Sequence, residues 1–368
     1  MSNIKIRREQ LLKPLSAVVG VVERKHTLPI LSNVLIETKN KKLRIVGTDL
    51  ELQISTETDG IDSENSVFTV SARKFLDITR SLPAEIDITL QASTDLLKIN
   101  AGKSKFSLQL LPANDFPQMQ LSDTEGLKFA VSADAFRDLL TKIQYAMAVQ
   151  DIRYYLNGIL LSINNSMLIA AATDGHRLAI DSIQLDVEIT KQLDVIIPRK
   201  AVIELIKLLS DNNDPIEIQL SATQVVFKQN SFELRSKIID GKFPDYKRVI
   251  PSGYTKTILI NRQLLNQSIA RAAILTNDKN KGIRVVLTEN NLRIICHNNE
   301  QEEAQEDLEI EYNNEPIDIG FNVQYLLDIL NNVSCETIQL SLNDSTSSLL
   351  INIPGEDNFN YVVMPMRI

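Results

Sequence analysis

The sequence predicts three similar α+β domains in tandem. Two observations carry this: a strand–helix start recurs at about every third of the 368 residues, and each third holds a second such start. The first start is Ile4-Lys5-Ile6 running into Gln10-Leu11-Leu12. Its counterparts are Phe129-Ala130-Val131 before Phe136, Leu139 and Leu140, and Ile258-Leu259-Ile260 before Gln263-Leu264-Leu265. The second starts are Val67–Val70 before a helix over Ala72–Leu82, Val195–Ile197 before Arg199–Leu209, and Ile317–Ile319 before Val323–Leu330. Alternating strands such as Leu43–Val46 and Val225–Phe227 lie between them, and Phe116-Pro117 and Phe243-Pro244 close the first two thirds. The expected domains are 1–125, 126–253 and 254–368, each with two helices and about eight strands.

Composition removes several classes. With 43% apolar and 23% charged residues, 12 Gly and 12 Pro, the chain is neither disordered nor collagen-like. Apolar runs such as Leu168–Ala172 fall far short of the ~18 residues that cross a bilayer, so no membrane association is expected. The start, MSNIKIRREQ, has no apolar stretch behind it, so a cytoplasmic protein without a signal peptide is expected. Two isolated cysteines (Cys296, Cys335) and three histidines (His26, His176, His297) make neither a disulfide framework nor a zinc site; no cofactor is expected.

Few motifs suggest chemistry. Gly102-Lys103-Ser104 lacks the upstream glycine of a phosphate loop, since Leu97 stands there, and reads as a hairpin turn. Thr173-Asp174-Gly175-His176-Arg177-Leu178 could pair Asp174 with His176 as in a hydrolase or nuclease, which is the alternative reading. The first third keeps Thr48-Asp49 at the matching place and loses the histidine, so a structural turn explains the pair better.

Charge is more informative. The net charge is −8, yet windows 5–13, 73–80, 134–142, 199–207, 262–271 and 323–330 hold 14 basic and six acidic residues. An acidic chain has thus concentrated positive charge on its predicted helices, as a phosphate-facing surface requires. The run Glu300–Asp307 is the opposite pole, a solvated face or a dock for a basic patch such as Arg73-Lys74 of another subunit. The terminus Tyr361–Ile368 is apolar and holds two of six Met, which suits core packing or the wall of a peptide groove.

Several segments together resemble the bacterial sliding clamp family, the beta subunit of the replicative DNA polymerase III. They are Thr27–Asn33, Ala72–Phe75, Arg153–Gly158, Ala172–Ala179, Phe243–Tyr246 and the terminal Val362-Val363-Met364-Pro365-Met366-Arg367, in order across the chain. The resemblance implies a head-to-tail homodimeric ring with helices lining the hole. Such a ring encircles double-stranded DNA without reading its sequence, tethers the polymerase for processive replication, and catalyses nothing. It implies duplex contacts at Arg24, Lys25, Arg73, Gln150, Tyr154 and Tyr155. It implies a dimer contact through Lys74, Ile78, Phe106, Leu108, Ile274, Leu275, Glu300 and Glu303. It also implies a groove for peptides of the replicative polymerase subunit, the clamp loader and other clamp-binding-motif proteins. The walls of that groove would be Leu156, Thr173, Gly175, His176, Arg177 and Leu178, then Pro244, Arg248 and Val249. Asn322, Tyr325, Ser348 and the tail residues Val362, Val363, Met364, Pro365, Met366 and Arg367 would complete them.

Overall fold

A computed structural model of the chain describes residues 2–23, 28–120, 126–209, 214–276 and 281–367. Among them are six α-helices: α1 (Arg8–Val19), α2 (Ala72–Ser81), α3 (Ala133–Thr141), α4 (Arg199–Leu208), α5 (Arg262–Ala272) and α6 (Val323–Asn332). They fall two to each third of the sequence. The first window is the one that shifts: Lys5 and Arg7 belong to the strand Ser2–Arg7, and α1 runs on to Val19. Ile4 and Ile6, both buried, follow a strand's period of two, and that period overrides the helical reading of their basic neighbours.

The repeat is exact enough to share hydrogen bonds. In each third the first strand pairs antiparallel with the strand after the second helix, placing Arg7 opposite Asp87, Ser132 opposite Pro215, and Asn261 opposite Thr337. The following helix then opens with one long-range bond, from the N–H of Arg8 to the Ile86 carbonyl (2.9 Å), of Ala133 to Asp214 (3.3 Å), and of Arg262 to Glu336 (2.9 Å). Each satisfies an N–H that a helix start leaves unpaired. In the first and third copies the same residue also serves the second helix. Arg8 donates to the carbonyls of Thr79 and Arg80 (3.0 and 2.9 Å), and Arg262 to those of Leu330 and Cys335 (2.6 and 2.8 Å). A guanidinium there meets both the spare carbonyls and the negative end of the helix dipole. Ala133 cannot do this.

The chain forms two compact units, Met1–Asp134 with Lys200–Ile238, and Ala135–Arg199 with Ile239–Ile368. The division cuts the middle third because strands pair across the sequence repeat. In the first unit Phe232–Lys237 pairs with Leu52–Thr58, joining two thirds in one 13-stranded sheet. In the second unit Arg177–Pro198 pairs with Glu356–Val363 inside a six-stranded sheet. A separate four-stranded sheet there ends at the strand Glu303–Glu309. Helix stripes such as Leu11, Leu15 and Val18 on α1 and Leu326, Ile329 and Leu330 on α6 are buried. Gly102-Lys103 is the turn between strands Leu96–Ala101 and Ser104–Leu111, with Gly102 at φ +56°.

Candidate functional site

Two turns with the same internal wiring lead to the site. In Thr173–Arg177 the Thr173 hydroxyl donates to the Arg177 carbonyl (2.6 Å) and accepts from the Gly175 N–H (3.0 Å). One Asp174 oxygen accepts from the N–H groups of His176 and Arg177 (2.9 and 3.1 Å). Thr48–Leu52 repeats all four bonds, with Thr48 bonded to Leu52 and Leu50, and Asp49 to Glu51 and Leu52. Such bonds are how Thr and Asp shape turns. The other Asp174 oxygen meets the Arg177 Nε at 3.1 Å, so both oxygens of Asp174 serve the turn. A catalytic Asp174–His176 pair gains nothing from this geometry.

The turn rims an apolar groove of about 210 Å³ in the second unit. Its floor is the cross-strand pair Leu178 and Val362, 2% and 1% exposed, above a cluster that includes Leu160, Ala171, Ile196 and Phe243. Of the other expected walls, Leu156, Thr173, Gly175, His176, Arg177, Pro244, Val249 and Met364 line it. Arg153, Tyr155 and Tyr246 also line it. The family resemblance assigns neither Arg153 nor Tyr246 to the groove, although both stand inside segments that carry it; an aromatic or Arg beside a tight turn is their signal in sequence. Tyr155, expected at DNA, faces this groove.

Local chemistry holds each wall in place. Gly175 sits at φ +90°, and a Cβ there would come within 2.9 Å of the Arg153 guanidinium. Arg153 forks onto Asp151 (3.0 and 2.8 Å) and reaches the Asp174 carbonyl (3.1 Å). Hydrogen bonds from Arg153 bring the Asp151 carboxyl down to about 2. The tail divides at Val363: Tyr361, Val362 and Val363 are buried strand, while Met364 and Met366 are exposed. The Met364 N–H donates to the His176 carbonyl (2.9 Å) and the Met366 N–H to Gly320 (2.7 Å), fixing the tail along the groove.

Arg177 lines the groove as expected and also braces it from behind. Its side chain is 9% exposed and reaches α6, where Nη1 meets Asp328 at 2.5 Å. Nη2 donates to the Tyr145 carbonyl, and the guanidinium lies 4.4 Å from the Tyr325 ring centre. Burial works against its charge, but Tyr361 and Asp328 outweigh that and raise its pKa.

Three family models of the DNA polymerase III beta subunit match the chain in order: the N-terminal domain over residues 2–120, the central domain over 130–245 and the C-terminal domain over 247–367. The chain belongs to the beta sliding clamp family. It is 43% identical to the beta sliding clamp of Pseudomonas aeruginosa and 41% identical to that of Escherichia coli, over 99% of each chain. A solved sliding clamp of Pseudomonas aeruginosa bound to griselimycin superposes with a TM-score of 0.94 at 43% identity, each chain fully covered. A sliding clamp of Bartonella birtlesii, also bound to griselimycin, gives 0.94 at 36%. The chain is therefore a non-catalytic processivity subunit acting in DNA replication, and the hydrolase alternative has no support.

Elsewhere in this clamp the remaining expected residues separate. Asn322 is the N-cap of α6, its side-chain oxygen accepting from the Gln324 N–H (2.9 Å), and the Ser348 carbonyl accepts from Tyr254 (3.1 Å). Arg248 is exposed and paired with Asp245 (2.8 Å). Pro365 and Arg367 continue the tail beyond the groove lining. Arg24 and Lys25 lie outside the described residues. Arg73, Gln150 and Tyr154 are exposed, Gln150 at φ +54°. Much of the helical charge is already committed: Lys200 meets Asp49 (2.5 Å), Arg271 meets Glu306 and Lys207 meets Glu204 (2.7 Å). Lys13, Arg73, Lys74 and Arg80 on α1 and α2 stay exposed. Phe106, Leu108 and Ile78 are half-buried, Lys74, Glu300 and Glu303 exposed, and Ile274 is 76% exposed beside the half-buried Leu275.

Proposed function

We propose that two copies of this chain join head to tail into a cytoplasmic ring around duplex DNA, built of the domains 1–125, 126–253 and 254–368. The observation that carries the reading is a strand pairing met twice and left open once. The strand after the Thr48 turn pairs with the last strand of the middle third, Phe232–Lys237; the strand after the Thr173 turn pairs with the last long strand of the chain, Glu356–Val363. One strand of each kind remains. Among the described residues Glu303–Glu309 pairs only with Asn291–His297, and Ser104–Leu111 reaches Ser66–Ser71 through Leu110 and Leu111 alone. Each open edge favours a strand from a second copy, and two such contacts close a ring. The charges agree, with Glu303 and Glu309 on one strand and Lys103 and Lys105 at the other. Phe106, Leu108, Ile78 and Lys74 then face the partner's copies of Ile274, Leu275, Glu300 and Glu303.

In this reading Arg24, Lys25, Arg73, Gln150 and Tyr154 contact phosphates without reading bases, so the ring slides. The groove takes short apolar segments of the polymerase subunit, the clamp loader and other partners in turn, with Met364 re-packing around different side chains. The test is retention on closed circular DNA. The protein should stay bound to the circle and leave when the circle is cut, and Ile274→Asp with Leu275→Asp should sediment as a monomer and never be retained. Equal loss from intact and cut circles, or a dimeric double variant, overturns the ring.

A further inference from the structure

Resting on the reading of the groove as the partner site, we infer that Asp328 on α6 is a positioning residue for that groove, acting through Arg177. Asp328 lies outside the groove lining, yet it fixes Arg177, which lines the groove between two other walls. Arg177 follows His176, whose carbonyl holds Met364, and precedes Leu178, the floor. Its guanidinium is buried against Asp328 at 2.5 Å and Tyr325 at 4.4 Å, with the Tyr145 carbonyl as a third partner. Asp174, in the turn itself, supplies a fourth. The bond to α6 therefore ties the turn, and with it one rim and the floor, to a helix.

The first junction shows that tying this turn to a helix is a recurring device with interchangeable parts. There Leu52 stands where Arg177 stands, and the tie runs from Asp49 of the turn to Lys200 of α4 at 2.5 Å. The sign of the charge on the helix is reversed and the turn is the same. A guanidinium held on several sides by fixed groups has little freedom, so neutralising Asp328 would let the turn relax without removing any atom that touches a ligand.

Griselimycin, a ligand of related clamps, is the probe, and Leu178→Gln is the control that it reads this groove; if that variant binds normally, the groove reading itself fails. With the control satisfied, Asp328→Asn should weaken griselimycin about tenfold, and Asp328→Glu should recover most of the loss. In an Arg177→Leu background, which copies the first junction, Asp328→Asn should add nothing. A merely structural Asp328 would lower affinity equally in both backgrounds, and that additive result overturns the inference. Should Asp328→Asn not fold, Arg177→Leu with Asp328→Leu removes both charges together and is expected to fold. Wild-type affinity in that variant would equally overturn it.

Discussion

The two junctions where the sheets cross the sequence repeat are built from the same parts and do different things. At the first, Leu52–Thr58 meets Phe232–Lys237; at the second, Arg177–Pro198 meets Glu356–Val363. Their registers match residue for residue. Glu51 and Lys237 stand where His176 and Met364 stand, each pair joined by one backbone bond of 2.9 Å. Gln53 opposite Arg235 stands where Leu178 is opposite Val362. At the first junction the polar pair reaches up and holds the passing chain: the Met119 N–H donates to Gln53 Oε1 (2.8 Å) and Arg235 donates to the Met119 carbonyl (2.8 Å). At the second the apolar pair offers no such bonds, and the matching segment, Phe243–Tyr246, forms a groove wall instead. One cross-strand pair thus separates a tethered loop from an open apolar floor.

The largest effect should come from making the second junction like the first. Leu178→Gln with Val362→Arg places polar groups on a floor that an apolar ligand would have to desolvate. On the proposed reading of the groove, affinity for griselimycin, the ligand of two related clamps, should fall by more than about a hundredfold, measured by calorimetry on a sample whose circular dichroism is unchanged. Retained affinity would show that the floor is not the binding surface.

The reverse exchange, Gln53→Leu with Arg235→Val, should act on stability. It removes both bonds to Met119 and should cost about 1–3 kcal/mol in urea unfolding. Hydrogen exchange at the Met119 amide should speed up. Unchanged exchange would mean that the loop is held by the Phe116 contact with Leu35 and Val46 alone.

The smallest effect lies in the turns. Gly175 is at φ +90° and its counterpart Leu50 at φ +79°. Gly175→Ala should cost about 1–2 kcal/mol, from backbone strain and the close Arg153. Leu50→Gly should relieve strain and gain up to about 1 kcal/mol. Equal and opposite shifts are not required, but a stabilising Gly175→Ala would break the comparison.

The recurrence of strand–helix starts was legible because each start combines a period-two run with a helical stripe, both local patterns. The groove was legible in part. Leu178, Val362 and Met364 belong to recognisable segments, whereas Arg153 and Tyr246 carry no periodicity that marks a wall. The charge pattern misled in one respect: Lys200 and Arg271 look free in sequence and are tied to Asp49 and Glu306 in the fold. Ion pairs between residues as distant as 49 and 200 leave no local trace.

Sequence alone therefore determined the elements, the threefold order and the Thr-Asp turns, because each depends on residues within about one turn or one strand of each other. Tertiary structure alone decided which strands pair across the repeat, and so set Gln53 against Arg235 and Leu178 against Val362. Arg177 shows the limit most plainly. Its position in the turn could be read from its neighbours, but its partner Asp328 is 151 residues away. Whether a guanidinium contacts a ligand or braces a helix depends on what the fold brings to its other side.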